Sequence, residues 1–342
     1  MRSDRPLLFT GLQQEVICAL EVLFSLRILV APQVHVAEVE VDLAESLLIS
    51  YRVTLCEKTG RWDDGVTWAQ RGMVVERALA QRWPDSPRLR FNKTVGLTQL
   101  AHLSRLAGRR AEADEAARGA TQAVGELREV FPGTVDAEEA AIEVDNLVAR
   151  LALDDGRTNE VTRALGATRE AIEWLIGHEP ENAEYARLLL VNQLQRNDLD
   201  AARETARASL RFPDLQGARP WLVLAFLLTE TPDAALAHAE RAPQLRSPSS
   251  ALFLAMTATL AGRPREAAEL AREAQKEPVL LLTWPPHLVR ARFETETGPG
   301  AELVRHLADE LDATDVAFDW PRRERAIAAF ADGLAGLAKD GG

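Results

Sequence analysis

From Leu43 onward, hydrophobic residues return every three or four positions, the period of an amphipathic helix rather than the alternation of a strand. The pattern breaks at regular places and predicts helices in pairs. Leu43–Lys58 and Asp63–Arg82 flank the turn Thr59-Gly60-Arg61-Trp62. Arg90–Ala107 and Ala111–Val130 flank Gly108-Arg109-Arg110, and Ala137–Leu153 and Asn159–Ile176 flank Asp155-Gly156-Arg157. Prolines at 84, 87, 132 and 180 close the three units, since proline neither donates to a helix nor continues one. Upstream, Gly11–Val30 is apolar nearly all round (Leu12, Val16, Leu20, Leu23, Phe24), so a helix there must be covered. Val34–Leu43 alternates like a strand, but the helical spacing that follows it and the lack of a partner strand predict a loop feeding a helix.

Aligned on their turns, the second helices share a triplet at spacings of four and three. The triplets are Gly65/Ala69/Gly72, Ala113/Ala117/Ala120, Val161/Leu165/Thr168, Ala202/Ala206/Ser209, Ala235/Ala239/Ala242 and Ala267/Ala271/Ala274. Their first members are 48, 48, 41, 33 and 32 residues apart, so the repeat shortens along the chain. Positions four and three apart share one helical face, and small side chains there let paired helices approach closely. A glycine before such a helix supplies a positive-φ helix stop. The most regular copy is Gly262–Ala274.

Ala251–Pro278 resembles the tetratricopeptide repeat (TPR) family, with Leu254-Ala255 where that family has Leu-Gly and Ala267, Ala271 and Ala274 on its second-helix pattern. Asn197–Ala202 and Thr231–Ala235 match less closely, and the resemblance spans about residues 43–311. It implies an all-α, right-handed α-solenoid of antiparallel helical hairpins whose concave face holds a peptide or partner helix. The expected organisation is an N-terminal apolar capping helix and loop (1–42), three long hairpins (43–180), TPR-length repeats (181–311), and a capping helix with tail (312–342). If first helices face the groove as in that family, Thr98, His102 and Arg105 point inward from the second unit. Glu143, Asn146 and Arg150 do so from the third, Glu184, Arg187 and Val191 from the fourth, and Leu224, Leu227, Leu252 and Met256 from the last two. The expected binding set is therefore His102, Arg105, Asn146, Arg150, Arg187, Leu224 and Met256, grading from polar to apolar along the groove. The arginines and Asn146 suit acidic groups, because guanidinium pairs with carboxylate bidentately. The family's carboxylate-clamp pattern of Lys and Asn does not align here.

The 342-residue chain has 46% hydrophobic and 27% charged residues, the balance of a core-forming protein, and its Ala, Leu, Arg and Glu favour helix. A net charge of −12 argues against non-specific nucleic-acid binding, which needs a cationic excess. Only Val16–Ala31 approaches a membrane span, and it is too short and carries Glu21 and Arg27. Two sparse cysteines, Cys18 and Cys56, read as buried thiols in a reducing compartment, so a cytoplasmic location is expected. The six histidines are scattered over different units, and no phosphate loop, nucleophile elbow or metal-binding helix appears. Acid clusters at Asp63-Asp64, Glu138-Glu139 and Asp154-Asp155 read as charged helix ends and faces. No catalytic residue, metal or cofactor is expected. The first expectation is a non-catalytic scaffold for a protein or peptide partner. The alternative is a repeat segment of bacterial signalling machinery, and an α-helical toroid enzyme ranks behind both. The Gly11–Val30 helix either caps the first hairpin or forms a homodimer surface.

Overall fold

The computed structural model describes residues 45–46, 48–57, 59–212, 217–275, 286–312 and 320–340. Gly11–Val30, Val34–Leu43 and Pro278, on which the sequence carried expectations, lie outside these residues. Every α-helix among the described residues belongs to one series. It begins with α1 (48–57), α2 (Trp62–Arg82), α3 (Pro87–Leu106), α4 (Arg110–Val130), α5 (Val135–Asp154) and α6 (Thr158–His178). Shorter helices follow: α7 (Ala183–Gln195), α8 (Leu199–Ser209), α9 (Arg219–Thr229), α10 (Pro232–Arg241), α11 (Ala251–Leu260) and α12 (Pro264–Ala274). The last three are α13 (Pro286–Phe293), α14 (Pro299–Asp312) and α15 (Trp320–Asp340). The repeat shortens because the helices themselves do, from 20 or 21 residues in α2–α6 to between 10 and 13 in α7–α12.

The turns within hairpins explain the glycines. Gly60, Gly108, Gly156 and Gly262 sit at φ of +68° to +71°, and Asn197 takes the same place at +57°. Asn is one of the few side chains that visits this region at modest cost. The amide of the next residue reaches back to the fifth residue before it in each case: Arg61 to Cys56, Arg109 to Ser104, Arg157 to Ala152, Asp198 to Gln193 and Arg263 to Ala258, all at 2.8–2.9 Å. These are Schellman closures, in which a left-handed residue lets the last carbonyls of one helix be satisfied before the next begins. Four of the turns also read Gly-Arg-x-x-acid. The arginine at each second-helix start turns back to the acid three residues on, pairing Arg61 with Asp64, Arg109 with Glu112, Arg157 with Glu160 and Arg263 with Glu266.

The small triplets do what their size allows. All eighteen positions are buried except Val161, which is half-buried. A Cβ added at Gly65 would lie 3.3 Å from Cys56 Cβ and 3.0 Å from Leu103 Cδ2, and one at Gly72 would lie 3.1 Å from Ile49 Cγ2. The backbone of α2 therefore rests directly on side chains of α1 and α3.

Each second helix also packs on the first helix of the following hairpin, α4 on α5, α6 on α7, α8 on α9 and α10 on α11. First helices of successive hairpins touch as well, α3 with α5, α7 with α9 and α9 with α11, whereas the described second helices make no comparable contact with one another. Inner helices close together and outer helices splayed apart are what curve a stack, so first helices line the concave side. The protein is an all-α solenoid of antiparallel hairpins. At its C-terminal end α13 contacts α9, α14 contacts α11, and α15 packs along both α12 and α14.

Candidate partner-binding face

The inner face of the long hairpins carries a band of charge. On α5 the residues Glu143, Asn146, Arg150 and Asp154 fall at spacings of three, four and four, one stripe of the helix. His102 and Arg105 occupy the last turn of α3 beside it, and Glu57 ends α1. Three hairpins meet here through side chains. Arg105 Nη1 donates to Asp154 Oδ2 at 2.9 Å, Arg150 Nη1 lies 3.3 Å from His102 Nδ1, and His102 Nε2 lies 3.2 Å from Glu57 Oε1. Guanidinium can only donate, so His102 Nδ1 is the acceptor and its proton sits on Nε2, donated to Glu57. That is a neutral imidazole. Burial holds His102 below its ordinary range, the Arg150 charge adds to that, and the Glu57 hydrogen bond opposes it.

Arg150 is the unusual member. Its one hydrogen-bond contact among the described residues is the lone pair of that neutral histidine. Burial and then the charge of Arg105 press its guanidinium toward losing its proton, against the pull of the Glu57, Asp154 and Glu143 carboxylates, and arginine resists that loss. Glu143 lies two turns earlier on the same stripe. It is open to solvent, yet the surrounding concave wall removes enough hydration to raise its carboxyl above the usual range against the pull of Arg150 and Arg187. Arg187 is committed locally, its Nε donating to Glu184 Oε2 at 2.8 Å. Asn146 is half-buried on the stripe, and Thr98 is buried with its hydroxyl returned to Thr94 O at 3.0 Å.

The sequence placed His102, Arg105, Asn146, Arg150 and Arg187 on first helices, and the structure gathers His102, Arg105 and Arg150 into one cluster. It did not assign Glu57 or Asp154 to that cluster. The spacings that could have found them are those from His102 to Arg150 and from Arg105 to Asp154, 48 and 49 residues, the repeat period itself.

Leu224 and Met256 correct the expected apolar end of the groove. Both are fully buried, as are Leu227 and Leu252. Every residue of Pro220–Leu228 in α9 is buried, as is every residue from the cap Ser250 through Ala258 of α11, and α13 and α14 add to the helices packed against these two. The accessible inner face belongs to α3, α5 and α7.

The outer side offers clefts instead. One of about 930 Å³ opens between α4 and α6 over α5, with Arg118 and Arg163 on its walls and Asp145 and Val148 on its floor. Burial pushes the Asp145 carboxyl up to about 6, with Arg128 opposing. A second cleft, of about 310 Å³, lies between α2 and α4 and is lined by Arg77, Arg90, Lys93 and Glu126. Among the described residues no three His, Cys, Asp or Glu side chains converge to hold a metal ion, and no helix is long and apolar enough to cross a membrane.

No protein-family model matches the chain, and no curated protein is similar to it at a significant level. Among solved structures it is similar to the crystal structure of the yeast Tom70, at 14% identity and a TM-score of 0.40 over 88% of this chain. The chain spans 64% of the length of that structure.

Proposed function

We propose that this chain is a non-catalytic TPR-like scaffold that takes an extended or helical segment of a partner protein against the inner face of α3, α5 and α7. One observation carries the reading: Arg150, half-buried on that face, has the neutral His102 as its one side-chain hydrogen-bond contact among the described residues, with the carboxylates of Glu57, Asp154 and Glu143 near it but not bonded to it. A guanidinium so placed gains most from a carboxylate, which can take two parallel hydrogen bonds from it. The preferred segment therefore presents an acidic side chain to Arg150, flanked by polar groups for Asn146 and Glu143.

Peptide display tests this directly, whatever the partner. Random peptides selected on the full chain should be enriched in Asp and Glu. Their binding should fall at least tenfold in Arg150→Gln, with helicity unchanged by circular dichroism. Selected peptides that bind Arg150→Gln as tightly as the parent chain would overturn the assignment.

A further inference from the structure

The two ends of the solenoid are finished differently. At the C-terminal end α15 covers α12 and α14. At the other end α1 turns Ile49, Val53 and Cys56 toward α2 and α3, which buries them. Leu48, Tyr51 and Leu55, at spacings of three and four, look the opposite way. Leu48 keeps 48% and Tyr51 40% of their surface exposed. On α2, Trp68 and Val75 are half-buried at the edge of the cluster that Ile49 and Val53 enter. Arg52 and Arg71 lie over the Trp68 ring at 4.2 and 5.4 Å. Arg71 is paired with Glu45 at 2.5 Å, but Arg52 has no carboxylate partner among the described residues. Each later hairpin has its corresponding face covered by the hairpin before it. The first hairpin has no described neighbour there.

We infer that this face is the seat of the chain's own segment Gly11–Val30. The segment lies outside the described residues, and three of its properties fit. Its sequence has an apolar surface that needs cover nearly all round. As a helix its 20 residues would run about 30 Å, the length of α2 with 21. Its acids Glu15 and Glu21 complement Arg52, which has no carboxylate partner among the described residues. Residues 31–47 can span about 55 Å when extended, enough for either direction of docking. A second copy of the chain could offer the same segment. The tether decides between them, because it holds the covalently attached copy at a local concentration near millimolar.

Native Cys18 lies within the segment and makes the test direct. A thiol is introduced in the full chain by Tyr51→Cys or Leu48→Cys, with Cys56 left in place because it is buried. The protein is treated at low micromolar concentration with a short bismaleimide. The expected result is a bridge from Cys18 to the introduced thiol within one chain, seen as a monomer on a denaturing gel and as a linked peptide by mass spectrometry. Leu153→Cys, more exposed still on α5, should give less than a tenth of that yield. Adding Leu23→Glu and Phe24→Glu should abolish the bridge. Covalent dimers joined from Cys18 to the introduced thiol would overturn the inference in favour of a second copy. Bridging at neither position, or as readily at Leu153→Cys, would overturn it outright.

Discussion

Glu76 shows how a single residue can hold stability against pH. It extends the Gly65/Ala69/Gly72 stripe of α2 by one turn and is buried, with Oε2 against Gly96 of α3 and without a hydrogen-bond partner. A Cβ at Gly96 would collide with that oxygen. Burial alone pushes its carboxyl from 4.5 up to about 8. The folded protein therefore holds this proton where the unfolded chain has released it. The site costs nothing below pH 4.5, and stability falls as pH rises from there to about 8. At about 1.4 kcal/mol per pH unit, with allowance for relaxation, Glu76→Gln should stabilise by on the order of 3 kcal/mol at pH 8. It should do little at pH 4.5. Urea midpoints at the two pH values measure the difference, and equal midpoints would show Glu76 already ionised. His102 carries the opposite sign. As a base held below its usual range, it contributes fully above pH 6.5 and loses that contribution as pH falls below it. Its imidazole resonances should titrate with a midpoint below 6.5, and a midpoint above it would show that the Glu57 hydrogen bond outweighs burial. The triplet register made the burial of Glu76 legible, since 76 is four past Gly72. Its lack of a cation was not, because partners come from α3, whose rotation about its own axis no local spacing fixes.

Among elements, the turns were the most legible feature and are the most testable. Gly108 and Gly156 have open space where a Cβ would go, so replacing them strains only the positive φ. Gly156→Ala should cost about 1 kcal/mol, read from the urea midpoint. A neutral outcome would mean that α5 can end without its left-handed residue. Placing a larger side chain in the small stripe is a packing fault instead. Ala206→Leu, at a fully buried site, should cost about 1–3 kcal/mol through displaced neighbours. Helix positions were readable because the 3.6-residue period and the Gly-Arg turns agree. The groove assignment failed at Leu224 and Met256 because it followed repeat register alone. Trp221–Leu228 offers no polar residue for eight positions, and a helix without a polar face is enclosed on every side. That signal outweighed the register.

Across the whole molecule, two kinds of adhesion divide the solenoid. From Leu190 to Leu334 one continuous apolar core joins the hairpins. The long hairpins contain smaller, separate apolar clusters. They add bonds at the repeat distance: Arg88 to Asp136 at 3.0 Å, Arg109 to Asp63 at 2.6 Å, and the Tyr185 hydroxyl to Glu139 at 3.1 Å. Individual exposed pairs contribute little and are weakened by salt. Raising salt to 1 M should therefore speed amide hydrogen exchange in α2–α6 more than in α9–α14, measured by mass spectrometry. A uniform response would show that the ion pairs do not hold the first three hairpins together.

The splayed outer helices give this division a mechanical meaning. Between α4 and α6 there is a gap of about 930 Å³ and at most slight packing to break, while α3 and α5 stay joined along the inner side. Flexing the stack about that inner seam widens or narrows the gap at little cost, as a fan opens on its rivet. The compliance of the protein is thus concentrated in the long hairpins, which carry Arg150. The sealed C-terminal half is the stiffer part, and the open half can adjust its radius.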